Sequence, residues 1–174
     1  MANHTYVRVA IAETLNPTRL VILPLYSADG TLSAGSASPT ASDMANAAAW
    51  PALSRPITLE NLGIFNVINA VAPTTGSDAL PSDSSATFSR TIAGTSISFK
   101  WVLQFTPSGE VAVLQSLSDA SAPARYIKIA VDRPSPVDPT SPMSANEAAP
   151  QKQFILRLSG INGSVAILRK GEGI

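Results

Sequence analysis

Ile97–Leu117, ISFKWVLQFTPSGEVAVLQSL, is the stretch on which the fold reading turns. Its odd positions from 97 to 105 are Ile97, Phe99, Trp101, Leu103 and Phe105. Its even positions, Ser98, Lys100 and Gln104, are polar, with Val102 the exception. A period of two sends alternate side chains to opposite faces, so this spacing predicts one continuous half-buried strand. Thr106-Pro107-Ser108-Gly109 then supplies a turn: proline presets φ and glycine accepts the positive φ that follows. Val111, Val113 and Leu114 resume an apolar strand. The hairpin reads as a scaffold, not a reaction centre.

Working outward, Tyr6–Ala12 alternates as a strand, with Tyr6, Arg8 and Ala10 on one face and Val7, Val9 and Ile11 on the other. Leu20–Tyr26 follows a turn over Glu13–Pro17. Pro24 lacks the N–H a ladder needs, which predicts an edge strand or a bulge. Ser27–Ala49 is a Ser/Ala/Gly/Thr-rich loop in which Asp43–Ala49 can form a short helix capped by Ser42 or Asp43. Trp50 is the expected anchor of that loop. Ile57–Leu59 and Ile64–Val71 are short strands, and Ala72–Thr87 is a second polar loop. Arg125–Val131 alternates again. Arg133–Gln151 carries prolines at 134, 136, 139, 142 and 150 and is irregular. Phe154–Ser159 and Val165–Leu168 form a last hairpin around Asn162-Gly163, the preferred type I′ pair. With Ile161 and Ser164 flanking that turn, Leu158 is expected opposite Ile167, both facing the core. The count is about seven to nine short strands. The expected fold is mainly β, a single domain over residues 1–174 with antiparallel sheets packed sandwich-like, at most a short helix, and three long loops.

Composition excludes several functions. Twelve basic and twelve acidic residues cancel, so no charge footprint for nucleic acid or an anionic membrane exists. Cysteine is absent, which removes disulfides, thiolate metal sites and cysteine nucleophiles together. No apolar run reaches the roughly 18 residues of a membrane helix. His4 is the only histidine, so a multi-histidine metal site or a catalytic triad is excluded by arithmetic. The carboxylates Glu13, Asp29, Asp43, Glu60, Asp78, Asp83, Glu110, Asp119, Asp132, Asp138, Glu147 and Glu172 are scattered, mostly at turns, and no spacing favours a glycosidase pair. A calcium site near Asp78 and Asp83, or Asp132 and Asp138, would need several loop oxygens, and no EF-hand or acidic repeat is present. Ser108 sits in a turn instead of a G-x-S-x-G elbow, and Gly160–Gly163 sits in a hairpin instead of a phosphate loop. Enzyme chemistry is the least supported class, and no catalytic residue, cofactor or metal ligand set is assigned. Aromatic residues at 50, 65, 88, 99, 101, 105, 126 and 154 could line a sugar platform, but alternation turns most of them inward.

Five segments in order carry a family resemblance. Ala2–Val9 is similar to the junction between a long N-terminal helix and a first strand. Tyr26-Ser27-Ala28-Asp29-Gly30 is similar to a strand followed by a loop with D-G turns. Trp50–Leu59 is similar to a tryptophan followed by a leucine-x-arginine-proline step. Phe105-Thr106-Pro107-Ser108-Gly109 matches an F-x-P-x-G hairpin, and Phe154–Lys170 is similar to a terminal strand, glycine turn and basic-ended strand. Together they resemble the globular part of type IV pilin-like proteins, in the minor pseudopilin H or FimT-like group. Within that group the likeness is to the Verrucomicrobia-type cassette protein D prepilins. The group's apolar N-terminal helix, with its cleavage site and glutamate, is not in these 174 residues.

The resemblance implies a non-catalytic structural subunit acting in filament assembly or secretion, as in a type IV pilus or type II secretion system. It implies other pilin-like subunits or self-assembly as partners, membrane contact only through such a helix, and a place on the periplasmic or extracellular face of the inner membrane. It makes the loops Ser27–Ala49, Ala72–Thr87 and Arg133–Gln151 the interaction surface. A viral or phage structural β-domain, from a capsid or tail, shares this composition. A carbohydrate-binding module would require exposed aromatic residues on one sheet face.

Overall fold

The computed structural model describes residues 5–15, 18–31, 44–64, 87–114, 126–133, 135 and 154–169. These residues are mainly β. The strands are β1 (Val7–Leu15), β2 (Thr18–Tyr26), β3 (Ile57–Glu60), β4 (Gly63–Ile64), β5 (Phe88–Ile92), β6 (Thr95–Phe99), β7 (Trp101–Phe105), β8 (Val111–Val113), β9 (Tyr126–Asp132), β10 (Phe154–Ser159) and β11 (Val165–Arg169). A five-stranded sheet has the order β3-β2-β1-β7-β8, a four-stranded sheet the order β11-β10-β9-β4, and β5 and β6 form a separate hairpin. Every pairing is antiparallel.

The five-stranded sheet is covered on both faces. Trp101, Leu103, Val111 and Val113 meet Ile127, Ile129 and Leu158 of the four-stranded sheet in one core. On the opposite face Ala10, Ala12, Leu23 and Val102 meet Met44, Trp50, Phe88 and Phe99 in a second core. The Phe88 and Phe99 rings stack with centroids 5.1 Å apart. Aromatic pairs of this kind add about 0.5–1.5 kcal/mol beyond the area they bury.

This arrangement corrects the reading of Ile97–Phe105 as one half-buried strand. The chain breaks at Lys100 into β6 and β7, which belong to different sheets. Phe99 therefore joins the core of Val102, while Trp101 and Leu103 face the other core. Gln104 is buried as well, because its face of the sheet is covered by the chain around Trp50. The turn after β7 forms as expected. Gly109 has φ 91°, its N–H donates to the Thr106 carbonyl at 2.9 Å, and the Thr106 N–H donates to the Glu110 carbonyl at 2.9 Å.

Pro24 is tolerated in an internal strand, not an edge strand or bulge. β2 lies between β3 and β1, and the β1–β2 register runs unbroken through Val9↔Pro24. A residue in an antiparallel ladder directs its N–H and C=O to the same side. The Pro24 carbonyl accepts from the Leu53 N–H at 2.9 Å, so its missing N–H also faces away from β1. β3 has already ended there, since it pairs only with Arg19–Ile22. Residues 49–53 take its place through Tyr26 N–H to Pro51 O at 3.1 Å and Ala28 N–H to Ala49 O at 3.0 Å. Near Asp43–Ala49 the described residues show a single helical turn, closed by the Trp50 N–H on the Asn46 carbonyl at 3.0 Å. Ser42 and Asp43 lie outside the described residues, as do residues 65–71 of the expected strand Ile64–Val71 and most of the three long loops.

The last hairpin differs in register from the expectation. Leu158 pairs with Val165 and Leu156 with Ile167; Leu158 is buried, whereas Ile167, on the outer strand of the sheet among the described residues, is 65% exposed. A type I′ turn needs positive φ at both central residues. Only Gly163 has it, at 67°, and its N–H closes a wider turn on the Ser159 carbonyl at 2.9 Å. The cause is tertiary: the Val111 N–H donates to the Gly160 carbonyl at 2.8 Å, docking this turn on the β7–β8 turn. The hairpin β5–β6 was not expected. Its two-residue turn places Ala93 at φ 49° and Gly94 at φ 83°, and alanine is an uncommon occupant of that conformation.

A Cβ on Gly163 would meet the Gly109 carbonyl oxygen at 3.0 Å, whereas one on Gly94 meets nothing within 4 Å. Gly94→Ala should therefore cost about 1 kcal/mol, the left-handed penalty alone. Gly163→Ala should cost clearly more, about 2–3 kcal/mol, as strain and contact add. Urea unfolding of the two variants measures the difference, and equal costs would contradict the docked turn.

Candidate functional site

Over Val7–Ala12, β1 is apolar on both faces apart from Arg8, and that residue is drawn into the core. Arg8 is 1% exposed. It stands opposite Gln104 in the β1–β7 ladder, and its Nε donates to Gln104 Oε1 at 3.0 Å. Its Nη1 donates to Met44 Sδ at 2.9 Å, and its Cζ lies 4.1 Å from the centroid of the fully buried Trp50 ring. Desolvated cation–π contacts of this kind contribute about 2 kcal/mol. Burial lowers the Arg8 pKa to about 10, so the group still carries its charge at neutral pH.

A second arginine reaches the same place from β5. Arg90 Nη2 donates to the carbonyls of Met44 and Trp50, both at 2.8 Å. Desolvation also lowers its pKa. Arg8 thus holds the chain around Met44–Trp50 to the five-stranded sheet and Arg90 holds it to the β5–β6 hairpin, and Trp50 is the loop anchor expected of it. Two donors in this cluster, Trp50 Nε1 and Arg90 Nε, are buried without an acceptor.

The second notable feature is an apolar groove of about 290 Å³ between the two large sheets. Ile11, Leu20, Leu59, Ile129, Leu156 and Ile167 contribute to a lining made only of aliphatic side chains. Such a wall offers no hydrogen bond with which to orient a polar substrate.

The carboxylates considered from the sequence are not brought together among the described residues. Glu13 Oε1 accepts from the Ile64 N–H at 3.0 Å and holds the start of β4. Glu60 lies 3.9 Å from Arg19 on the surface, where such pairs contribute little. Glu110 Oε2 accepts from Ser108 Oγ at 3.2 Å, and Asp132 Oδ1 from the Arg133 N–H at 2.7 Å. His4, Asp43, Asp78, Asp83, Asp119, Asp138, Glu147 and Glu172 lie outside the described residues. No group of three or more metal-ligating side chains occurs among the described residues. Trp50, Phe88, Phe99 and Trp101 are all buried, which removes them from any sugar-stacking surface.

Sequence reasoning gave Arg8 and Arg90 no role. The available signal was the apolar character of both faces of Tyr6–Ala12, which is the mark of a strand buried on both sides. An arginine in such a strand has to find partners inside.

No family model, no curated protein and no solved structure matches this chain.

Asp29 Oδ1 accepts from the Thr31 N–H at 2.8 Å, the Thr31 hydroxyl at 2.7 Å and Ser27 Oγ at 2.9 Å. The Thr31 backbone bond, chiefly, lowers its pKa below 3.8. A carboxylate whose folded pKa is depressed stabilises the fold above the unfolded value and loses that contribution as pH falls through the folded one. Asp29→Ala should therefore be less stable than wild type at neutral pH, and the gap should close as pH falls through and below 3.8. Urea titrations across this range check it, and a gap independent of pH would contradict it.

Proposed function

We propose that this chain is a non-catalytic structural subunit, the globular domain of a pilin- or pseudopilin-like protein acting in filament assembly or secretion. The observation that supports this most directly is the terminal hairpin. β11 is an edge strand of the four-stranded sheet among the described residues, and Val165 and Ile167 stand 61% and 65% exposed on it. Ile161 at its tip is exposed too. Edge strands of proteins that remain single copies are usually blunted by charge, proline or a bulge. This one pairs regularly with β10 and presents β-branched apolar side chains. With zero formal net charge, little long-range repulsion opposes association.

The partners in this reading are other pilin-like subunits or further copies of the chain, on the periplasmic or extracellular face of the inner membrane. The order of short motifs from Tyr26–Gly30 to the F-x-P-x-G turn supports the family assignment. Burial of the four aromatic side chains named above weighs against a carbohydrate-binding module.

Sedimentation equilibrium of the purified chain tests the assembly reading. Reversible, concentration-dependent association is expected. Val165→Asp combined with Ile167→Asp should weaken it at least about tenfold while leaving the circular dichroism spectrum unchanged. Wild type and variant that are equally monomeric at every concentration would overturn it.

A further inference from the structure

Packed sheets leave few voids larger than a water molecule between them. The groove between the five-stranded and four-stranded sheets measures about 290 Å³, near the lower end of small-ligand pockets, roughly 300 Å³. Buried side chains, Ile11, Leu20 and Ile129, close its floor. Its rim is open, because Ile167 lines the groove and is still 65% exposed. The sheets therefore part beside β11 and leave an aliphatic slot facing water.

The wall selects what can enter. The nine described side chains that line it are all isoleucine, leucine or valine. A hydrogen-bonding group carried inside would lose water and gain no partner from them, so the buried part of a ligand has to be hydrocarbon. These side chains also offer no ring on which an aromatic ligand could stack. A stable protein interface takes about 20–30 residues on each side, and nine side chains in a slot fall well short of that. A narrow hydrocarbon that leaves its polar end in water meets all three conditions. An apolar cavity of about 150 Å³ takes the six carbons of benzene, so a groove of 290 Å³ takes about ten to twelve.

We propose that this groove binds a single unbranched acyl chain of about ten to twelve carbons, as in a medium-chain fatty carboxylate. The tail lies on Ile11 and Ile129, and the head group stays in solvent beside Ile167. The inference goes beyond the assembly reading and does not rest on it, although Ile167 belongs to both surfaces.

The test is isothermal titration calorimetry of the full chain with carboxylates from hexanoate to tetradecanoate, each below its micelle concentration. One carboxylate per chain is expected to bind. Affinity should rise about fourfold for each added methylene, then level off at about ten to twelve carbons, when the groove is full. Leu59→Trp and Leu156→Phe enlarge a side chain on each wall. Each should weaken decanoate binding about tenfold or more, by taking the space of two or so methylenes. Methyl NMR of wild type locates the site without any variant: the Leu59, Ile129 and Leu156 resonances should shift as decanoate saturates. No binding in wild type, affinity that climbs through tetradecanoate without levelling, or unchanged binding in both variants would overturn the proposal. Capture on phosphatidylcholine vesicles without binding of monomeric carboxylates would overturn it in favour of a membrane surface. Self-association weakened by Leu59→Trp, again without carboxylate binding, would overturn it in favour of a second copy. A chain that stays monomeric yet binds decanoate with this length dependence would sink the assembly reading alone and support the groove.

Discussion

A sheet covered on both faces leaves its inner strands no outward side, and the structure follows from that constraint. β1 and β7 lie inside the five-stranded sheet and place alternate residues in two separate cores. Any polar residue on these strands must be satisfied inside the protein, since a buried unpaired group costs about 1–3 kcal/mol. Arg8 and Gln104 meet the requirement jointly. They stand opposite each other in the ladder and hydrogen-bond at 3.0 Å, with Trp50 over the guanidinium. The loop that carries Trp50 and the hairpin that carries Arg90 are thereby held against the sheet.

The second layer is held by geometry at two corners. Asn61, at φ 57°, turns the chain from β3 in the large sheet to β4 in the smaller one, and its N–H donates to the Thr18 carbonyl at 2.9 Å. At the far side the β10–β11 turn sits on the β7–β8 turn through Gly163, Gly109 and the Val111–Gly160 hydrogen bond. The same docking sets the loop length, and hence the register, of β11. Val165 and Ile167, on which the proposed assembly rests, lie on the outer strand of that sheet among the described residues and are exposed there.

Much of this fold was legible in the sequence because alternation is local. The strands around Val7–Ile11, Trp101–Phe105, Ile127–Val131 and Phe154–Ser159 all carry it, and the Thr106–Gly109 turn is set by its own proline and glycine. What could not be read depends on partners distant in the chain. Alternation runs across Lys100 without a break, yet the strand changes sheets there. The burial of Gln104 depends on the cover around Trp50, and the position of Pro24 on where β3 stops. Ala93-Gly94 makes a hairpin turn without a strong turn signature. The arginine cluster was the least legible part, since it joins β1, β5, β7 and the Met44–Trp50 chain, which no spacing rule connects.

Amide hydrogen exchange across β7 tests the central claim most directly, because opening by local fluctuation and by global unfolding are distinguishable there. If β7 is the wall shared by two cores, the amides of Val102, Leu103 and Gln104 exchange only with global unfolding and are among the slowest in the chain. Exchange of these amides by local opening, while those of β9 and β10 stay protected, would contradict the account.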